Sequence, residues 1–185
     1  MNLREKTIKS EKIYEGRVIS MSVDTVITPG GNEATRELIH HPGGVGVVAI
    51  DSDNMVYLVE QYRIPYDDIL LEIPAGKLDG KGEDPVKAAE RERSEETGLS
   101  ADELIYMGDF YPSVGFLDEN LRMFMASGLH QGDTHPDEDE YLNIVKMPFD
   151  KAIDMVLRGE IKDGKTIAAL LKAKLIREKN CKSSL

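Results

Sequence analysis

The sequence is short of cysteine, of basic residues and of long apolar stretches. With a single cysteine, Cys181, no disulfide can form within the chain, which argues against a secreted disulfide scaffold. No stretch approaches the ~20 apolar residues of a membrane-spanning helix, and the charged residues 1–6 are unlike the start of a signal peptide. These absences predict a cytoplasmic protein with no membrane partner.

Basic residues are outnumbered by acidic ones, 23 to 34, which gives a formal net charge of −11 over 185 residues. Nucleic-acid binders need a basic surface to displace counterions, so this balance argues against a nucleic-acid partner. The 41% hydrophobic and 31% charged content is that of an ordinary globular protein. A small anionic substrate stays possible if metal ions offset the repulsion.

The first forty residues predict β structure. Polar and apolar residues alternate at 13–20, 22–28 and 34–41, and a strong turn signal lies at 29–32. Three strands are too few to form a stable unit alone. We therefore expect a small N-terminal antiparallel sheet domain, residues 1–41, beside a main domain, residues 42–185.

The main domain combines strands with one central and two terminal helices. The patterns predict strands at 44–50, 55–61, 69–73, 104–111, 121–127 and 142–147, and helices at 85–97, 149–158 and 166–178. Asp84 is placed to cap the first helix, Pro85 suits its first turn and Gly98 suits its end. This order of elements indicates an α+β or α/β sandwich.

Three glutamates share one side of the central helix. Glu95 and Glu96 follow Glu92 by three and four residues, spacings at which like charges destabilise a helix slightly. A solvated acidic face is the simplest interpretation of such a cluster. A glycine-containing loop leads into this helix, however, and carboxylates are the ligands that Mg²⁺ prefers. The cluster is therefore a candidate metal site.

Residues 76–99, GKLDGKGEDPVKAAERERSEETGL, resemble the Nudix box, G-x5-E-x7-R-E-U-x-E-E-x-G-U, where U is a bulky aliphatic residue. The matching positions are Gly76, Glu83, Arg91, Glu92, Glu95, Glu96, Gly98 and Leu99. Six residues, instead of five, separate Gly76 from Glu83, and Arg93 stands where an aliphatic residue is usual. Arg93 falls on the side of the helix that should pack inward, where it would snorkel or pair with an acid.

The resemblance implies a Nudix α/β/α sandwich and a Mg²⁺ site, with Mn²⁺ as a substitute. In that family the metal ligands correspond to Glu92, Glu95 and Glu96, with the backbone carbonyl of Ala75 added. Glu92 and Glu96 would thus take part in catalysis. Glu83, Arg91 and Gly76 would hold the site in shape, as supporting residues do around metals.

Similarity beyond the box resembles the ADP-ribose pyrophosphatase branch of the Nudix hydrolases. It lies in residues 59–63, 71–76 and 111–116, and also in 159–167 near the end of the chain. The substrate contacts implied by this resemblance are Arg36, Arg63, Ser113 and Glu119. Arg63 would contact phosphate and Glu119 the terminal ribose, although a surface salt bridge is the alternative role for Arg63. Val114 departs from the branch, which usually has proline at that position.

The acidic run 137–140 would ordinarily be a solvated loop. In the branch, acidic residues at this point close over the metals, which would make Glu138 the catalytic base and Glu140 a further metal contact. A shift of register by one or two residues would exchange these roles among the four acids.

The resemblance implies hydrolysis of ADP-ribose to AMP and ribose 5-phosphate, by a homodimer whose N-terminal sheets reach the partner. Two alternatives stay open. One is a hydrolase of another nucleotide sugar, such as GDP-mannose or a UDP-sugar. The other is a non-catalytic nucleotide-binding module, which would have little reason to retain a self-repelling glutamate cluster.

Overall fold

The computed structural model describes residues 2–80, 82–134 and 141–183, and its contacts divide the chain into two compact units. One unit contains Met1–Gly43 together with Tyr111–Asn120, and the other contains Gly44–Phe110 and Leu121–Leu185. The contacts thus group a later segment with the N-terminal strands. The domain boundary expected after residue 41 stays a prediction.

Three antiparallel strands form the sheet of the first unit: β1 (Lys6–Glu15), β2 (Ser20–Ile27) and β3 (Glu33–His40), in that order. The predicted meander is confirmed, but its predicted first strand at 13–20 is wrong. Residues 16–19 lie between two strands, where the Gly16 N–H donates to the Ile19 carbonyl at 2.9 Å. Every residue of β1 is exposed, so no alternation of buried and exposed positions marks it in the sequence.

The second unit contains a seven-stranded mixed sheet. Its strands are β4 (Gly44–Ile50), β5 (Met55–Arg63), β6 (Asp68–Glu72), β7 (Ala75–Lys77), β8 (Leu99–Phe110), β9 (Leu121–Gln131) and β10 (Leu142–Pro148). The order is β10-β5-β4-β9-β8, with β6 paired to β5 and β7 to β4, and the pair β4–β9 is parallel. Sequence patterns missed the three-residue β7 and the beginning of β8.

Helices cover both faces of this sheet. They are α1 (Pro85–Thr97), α2 (Phe149–Leu157) and α3 (Gly164–Ser183). Strand β4 is buried throughout, and its residues alternate between two apolar clusters. Val47 packs in the cluster that contains residues of α1, whereas Val48 packs in the cluster that contains residues of α2 and α3. The expected α/β/α sandwich is confirmed.

Helix α1 has the predicted bounds, α2 ends one residue earlier than predicted and α3 extends further in both directions. Within the described residues, no helix combines the length and apolar character needed to cross a membrane.

Candidate active site

Helix α1 is fixed at both ends by local interactions. The Asp84 side chain accepts a hydrogen bond from the Val86 N–H at 2.9 Å, as an N-cap residue does. At the other end Gly98 adopts φ 70°, a left-handed conformation that favours glycine, and its N–H donates to the Ser94 carbonyl at 2.8 Å. The helix therefore presents its side chains from a defined position.

Two glutamates of α1 are buried against strand β7. Glu92 is 7% exposed and Glu96 is 2% exposed. The Ala75 N–H donates to Oε2 of Glu96 at 3.2 Å. A Cβ atom at Gly76 would lie 2.0 Å from the Glu92 carboxyl carbon, so only glycine lets this carboxylate approach the backbone. The packing brings the predicted ligands Ala75, Glu92 and Glu96 together.

Arg91 is the centre of an ion-pair set that we call the Arg91 set. Its guanidinium pairs with four carboxylates: Asp79 at 3.7 Å, Glu83 at 3.3 Å, Glu92 at 2.8 Å and Glu95 at 3.1 Å. One nitrogen, Nη1, contacts both Glu92 and Glu95. Burial opposes the charge of Arg91, but Glu92 and the other acids prevail and raise its pKa. Arg91 thus links Glu83 to Glu92 and Glu95, and the supporting role expected of Glu83 and Arg91 stays a prediction.

The chemistry of these side chains fits a hard divalent cation. Carboxylate oxygens on a rigid helix, beside a backbone strand, are the donors that Mg²⁺ and Mn²⁺ prefer. The Arg91 set places four acids around one base, and Glu96 lies on the same helix. Within residues 2–80, 82–134 and 141–183, no three His, Cys, Asp or Glu side chains converge tightly enough to form a closed metal cage. The fit therefore rests on donor type and charge.

A second charged set, which we call the Glu72 set, contains Arg63, Glu72, Asp163 and Lys165. Nε and Nη2 of Arg63 donate to the two Glu72 oxygens at 2.7 Å each, and Lys165 also pairs with Glu72. Lys165 contacts Asp163 at 3.0 Å. Burial alone would raise the pKa of Glu72, which is 2% exposed, but Arg63 and Lys165 outweigh burial and lower it.

This geometry bears on the two roles considered for Arg63. The salt bridge exists, and it fixes the guanidinium through Nε and Nη2, so that Nη1 makes no hydrogen bond within the described residues. The hydrogen bonds that Arg63 donates to Glu72 are the largest cause of its raised pKa, and the charge of Glu96 contributes less. Contact with phosphate stays a prediction.

Three other predicted substrate residues belong to the first unit. Arg36 on β3 pairs with Glu5 through Nε at 3.0 Å and Nη2 at 2.5 Å. The carbonyl of Ser113 accepts from the Leu117 N–H at 3.1 Å, inside the segment 111–120. The side chain of Glu119 is 19% exposed, and its Oε1 lies 3.5 Å from His41 Nδ1. Their contact with substrate stays a prediction, and Glu138 and Glu140 lie outside the described residues.

The sequence profile of the NUDIX domain matches residues 40–170, well over half of the chain. The chain belongs to the NUDIX family.

Named relatives agree with this membership. A methanol dehydrogenase activator from Bacillus methanolicus is 42% identical over 90% of this chain and 90% of its own length. An ADP-ribose pyrophosphatase from Bacillus subtilis is 39% identical over 91% of this chain and 92% of its own. A solved structure titled as an ADP compounds hydrolase aligns with TM-score 0.85 at 19% identity, over 97% of this chain and 98% of that one, which shows a shared fold.

Arg93, which departs from the NUDIX pattern, makes contacts that differ from those expected. The residue is buried, as its position on the helix predicts. Among the residues that the structure describes, it pairs with no acid, and its Nε donates to the Leu99 carbonyl at 3.0 Å, just beyond the helix end. Nη1 has no hydrogen-bond partner among the described residues, and burial lowers the Arg93 pKa. Arg93 thus joins the end of α1 to the start of β8.

Sequence reasoning missed Glu72 and Lys165, which fix Arg63, and Asp118, which precedes Glu119. Glu72 lies in an apolar stretch that predicts only a strand, and its partner Lys165 is 93 residues away. The available signal was an acidic residue within the apolar run 69–73, because a charge that becomes buried there requires a partner.

Proposed function

We propose that this NUDIX protein hydrolyses the pyrophosphate of a nucleoside-diphosphate sugar, with ADP-ribose as its leading substrate and Mg²⁺ as its cofactor. The observation that carries the proposal is the surplus of acid at α1, where four carboxylates, two from the helix and two from the loop before it, surround the Arg91 guanidinium, and buried Glu96 lies on the same helix. A relative named ADP-ribose pyrophosphatase, 39% identical, supports the choice of substrate.

Glu92, Glu95, Glu96 and the carbonyl of Ala75 would hold the divalent cation. When bound, such a cation neutralises a pyrophosphate and makes nearby water more acidic. Arg91 keeps Glu92 and Glu95 adjacent, because one of its nitrogens contacts both carboxylates. The residues of the chain therefore supply a preorganised acidic site whose own repulsion a cation relieves.

On the substrate side, Arg63 would present Nη1 to a phosphate oxygen while Glu72 holds the other edge of its guanidinium. Glu119 would accept hydrogen bonds from the terminal ribose. Arg36 and Ser113 complete the proposed contacts, and Arg36 would exchange its pairing with Glu5 for a substrate group.

A base must take the proton of the attacking water, and we assign that role to Glu138, with Glu140 as a further metal contact. Both assignments rest on resemblance alone, because these residues lie outside the described part of the chain. A carboxylate within hydrogen-bond reach of the water would suit the task.

We also propose a homodimer. Strand β1 is an edge of its sheet, and all ten of its residues are exposed, among them Ile8, Ile13 and Tyr14. An exposed edge of this length is open to pairing with another chain. Light scattering at micromolar concentration should give twice the monomer mass, and an active monomer would contradict the proposal.

A cytoplasmic location of the protein stays a prediction.

The function is tested by purified protein with Mg²⁺ and a panel of ADP-ribose, GDP-mannose, UDP-glucose and ADP-glucose. We expect AMP and ribose 5-phosphate from ADP-ribose, with the highest kcat/KM of the panel and no turnover in EDTA. Preference for GDP-mannose or UDP-glucose would move the assignment to that nucleotide sugar. Tight binding of ADP-ribose without turnover would indicate the non-catalytic module.

The relative named methanol dehydrogenase activator, 42% identical, makes activation of a dehydrogenase a second candidate. The test is the rate of purified Bacillus methanolicus methanol dehydrogenase with and without this protein. An increase that Glu96→Gln abolishes would tie activation to the hydrolytic site, whereas an unchanged rate would remove this candidate.

A further inference from the structure

Asp118 is anchored to the end of β3 by three consecutive residues. Its N–H donates to the Ile39 carbonyl at 3.1 Å. Its Oδ2 lies 2.6 Å from Nδ1 of His40, and its Oδ1 accepts the His41 N–H at 2.8 Å. Burial opposes the charge of Asp118, but the bonds from His40 and His41 outweigh it and lower the pKa of the carboxyl group. Asp118 is therefore held as a carboxylate with both oxygens in use.

The other ring nitrogen of His40 continues this chain of contacts. Nε2 lies 3.0 Å from the hydroxyl of Ser22, which donates to Asp24 at 3.1 Å. Ser22 thus contacts both Asp24 and the ring of His40, and the donor in the contact with His40 depends on the tautomer of that ring. Ser22 is also 6% exposed, so this serine, histidine and aspartate do not form a nucleophilic triad. The network instead fixes the ring of His40.

Glu119, the next residue, has a different environment. Its carboxylate is mostly buried and makes no hydrogen bond within the described residues, with His41 Nδ1 3.5 Å away. That nitrogen accepts the Gly43 N–H at 3.1 Å, so it does not donate a hydrogen bond to Glu119. A mostly buried carboxylate that accepts no hydrogen bond is costly, so the Glu119 carboxylate favours a ligand whose hydroxyl groups can donate to it.

We propose that Asp118 and His40 are positioning residues that aim the Glu119 carboxylate at the hydroxyl groups of the terminal sugar, and so set the preference for that sugar. The inference rests on the proposed function. Asp118 uses both of its own oxygens to fix the chain at position 118, which leaves Glu119 as the free acceptor beside it. Loss of the Asp118 contacts should weaken sugar recognition and leave the metal chemistry intact.

The test compares Asp118→Ala with Asp102→Ala. Asp102 is a matched control because it also pairs with a histidine, His130, at 2.8 Å, on the exposed ends of β8 and β9. Steady-state rates with Mg²⁺ are measured for ADP-ribose and for ADP-glucose, which ends in a hexose. We expect Asp118→Ala to raise KM for ADP-ribose about tenfold with kcat within about twofold, a pattern typical of lost binding. The ADP-ribose to ADP-glucose ratio of kcat/KM should fall, and Asp102→Ala should match wild type.

Two further variants distinguish positioning from general damage. Asp118→Asn keeps an amide beside His40 and should restore most of the ratio. His40→Gln keeps an amide near Ser22 but loses the contact with Asp118, so it should lower the ratio even if Asp118→Ala fails to fold. Glu119→Gln should lower the ratio as well, and combining it with Asp118→Ala should add little, because both changes act on one contact.

Equal losses for the two substrates, additive effects of Asp118→Ala and Glu119→Gln, or a ratio unchanged in His40→Gln would overturn the inference. Failure of the proposed function would appear separately, as a wild-type protein that hydrolyses no nucleotide sugar.

Discussion

The Arg91 set and the Glu72 set differ in their balance of acidic and basic side chains. The Glu72 set has two acids, Glu72 and Asp163. Its two bases are Arg63 and Lys165, so the set is neutral. Around Arg91 four acids meet one base, and Glu96 adds a further acid on the same helix. Both sets belong to the same compact unit and include carboxylates exposed by less than a tenth.

This difference separates a structural role from a functional one. Ions taken out of water need compensating charge, and the Glu72 set obtains it entirely from the chain. The acids of α1 exceed the charge of Arg91, so a cation from solution can lower their energy. The comparison predicts that changes of the α1 acids proposed as metal ligands mainly affect catalysis, whereas a change of Glu72, which holds Arg63 and Lys165, mainly affects stability.

The largest expected effect is that of Glu96→Gln. Loss of a metal-binding carboxylate should lower kcat for ADP-ribose by on the order of 10³-fold, or about 4 kcal/mol in the activation barrier. The fold should persist, because Gln has nearly the same shape and relieves repulsion between acids. Rates at saturating Mg²⁺ and thermal unfolding measure the two quantities.

Glu90→Gln is the matched control, since Glu90 is an exposed glutamate of the same helix. It should retain wild-type turnover. A Glu96→Gln enzyme with near wild-type kcat would remove the metal site from α1.

Glu72→Gln should show the opposite pattern. It leaves Arg63 and Lys165 without their shared carboxylate, and breaking a buried ion pair destabilises a protein by about 3 kcal/mol. Urea unfolding measures this loss, and kcat at a temperature where the variant is folded should fall far less than in Glu96→Gln. The control Glu160→Gln breaks an exposed pair with Arg158 and should leave the unfolding midpoint unchanged. Equal stability of the two variants would contradict the structural role.

The third test concerns the acidic run 137–140 and asks whether acids outside α1 take part in catalysis or metal binding. Glu138→Gln should lower kcat by about 100-fold with little change in the Mg²⁺ requirement, because the water would lack its proton acceptor. Glu140→Gln should instead raise the Mg²⁺ concentration at half-maximal rate. Asp137→Asn and Asp139→Asn check the register. If all four stay within about threefold, well under 1 kcal/mol, the base lies elsewhere.

The two sets also differ in how well sequence predicted them. The bounds of α1 follow from local signals, Asp84, Pro85 and Gly98, and the glutamates of one helix face follow from its periodicity. Both were therefore accessible before the structure. The partners of Glu72 are 9 and 93 residues away in the sequence, and no local sequence pattern predicts contacts over such separations.

Other differences have equally physical causes. Strand β1 lacks a buried face, so hydrophobic alternation could not locate it. Arg93 found a backbone carbonyl in place of an acid, which depends on where the chain turns after Gly98. The surroundings of each segment in the folded chain thus determined what periodicity left open.

A smaller effect is expected from pH. The pKa of Glu72 is lowered from its usual value of 4.5, because Arg63 and Lys165 outweigh burial. A carboxyl group whose folded pKa is depressed contributes stability that is present above its unfolded pKa and lost as pH falls through the folded pKa. The gap in unfolding free energy between wild type and Glu72→Gln should therefore be widest near neutral pH and narrow below about pH 4.5. A gap that is constant across this range would contradict the assignment.

The claim that the acids of α1 hold divalent cations is tested most directly by Mn²⁺ titration, followed by electron paramagnetic resonance. Wild-type protein, and equally Glu90→Gln, should bind Mn²⁺ with an affinity at least about tenfold higher than the double variant Glu92→Gln/Glu96→Gln, since loss of even a residue that supports a ligand commonly weakens a metal site by about tenfold or more. Mg²⁺ should displace the bound Mn²⁺. Equal Mn²⁺ affinity in wild type and the double variant would contradict the account, because the surplus charge of α1 would then have no cation to bind.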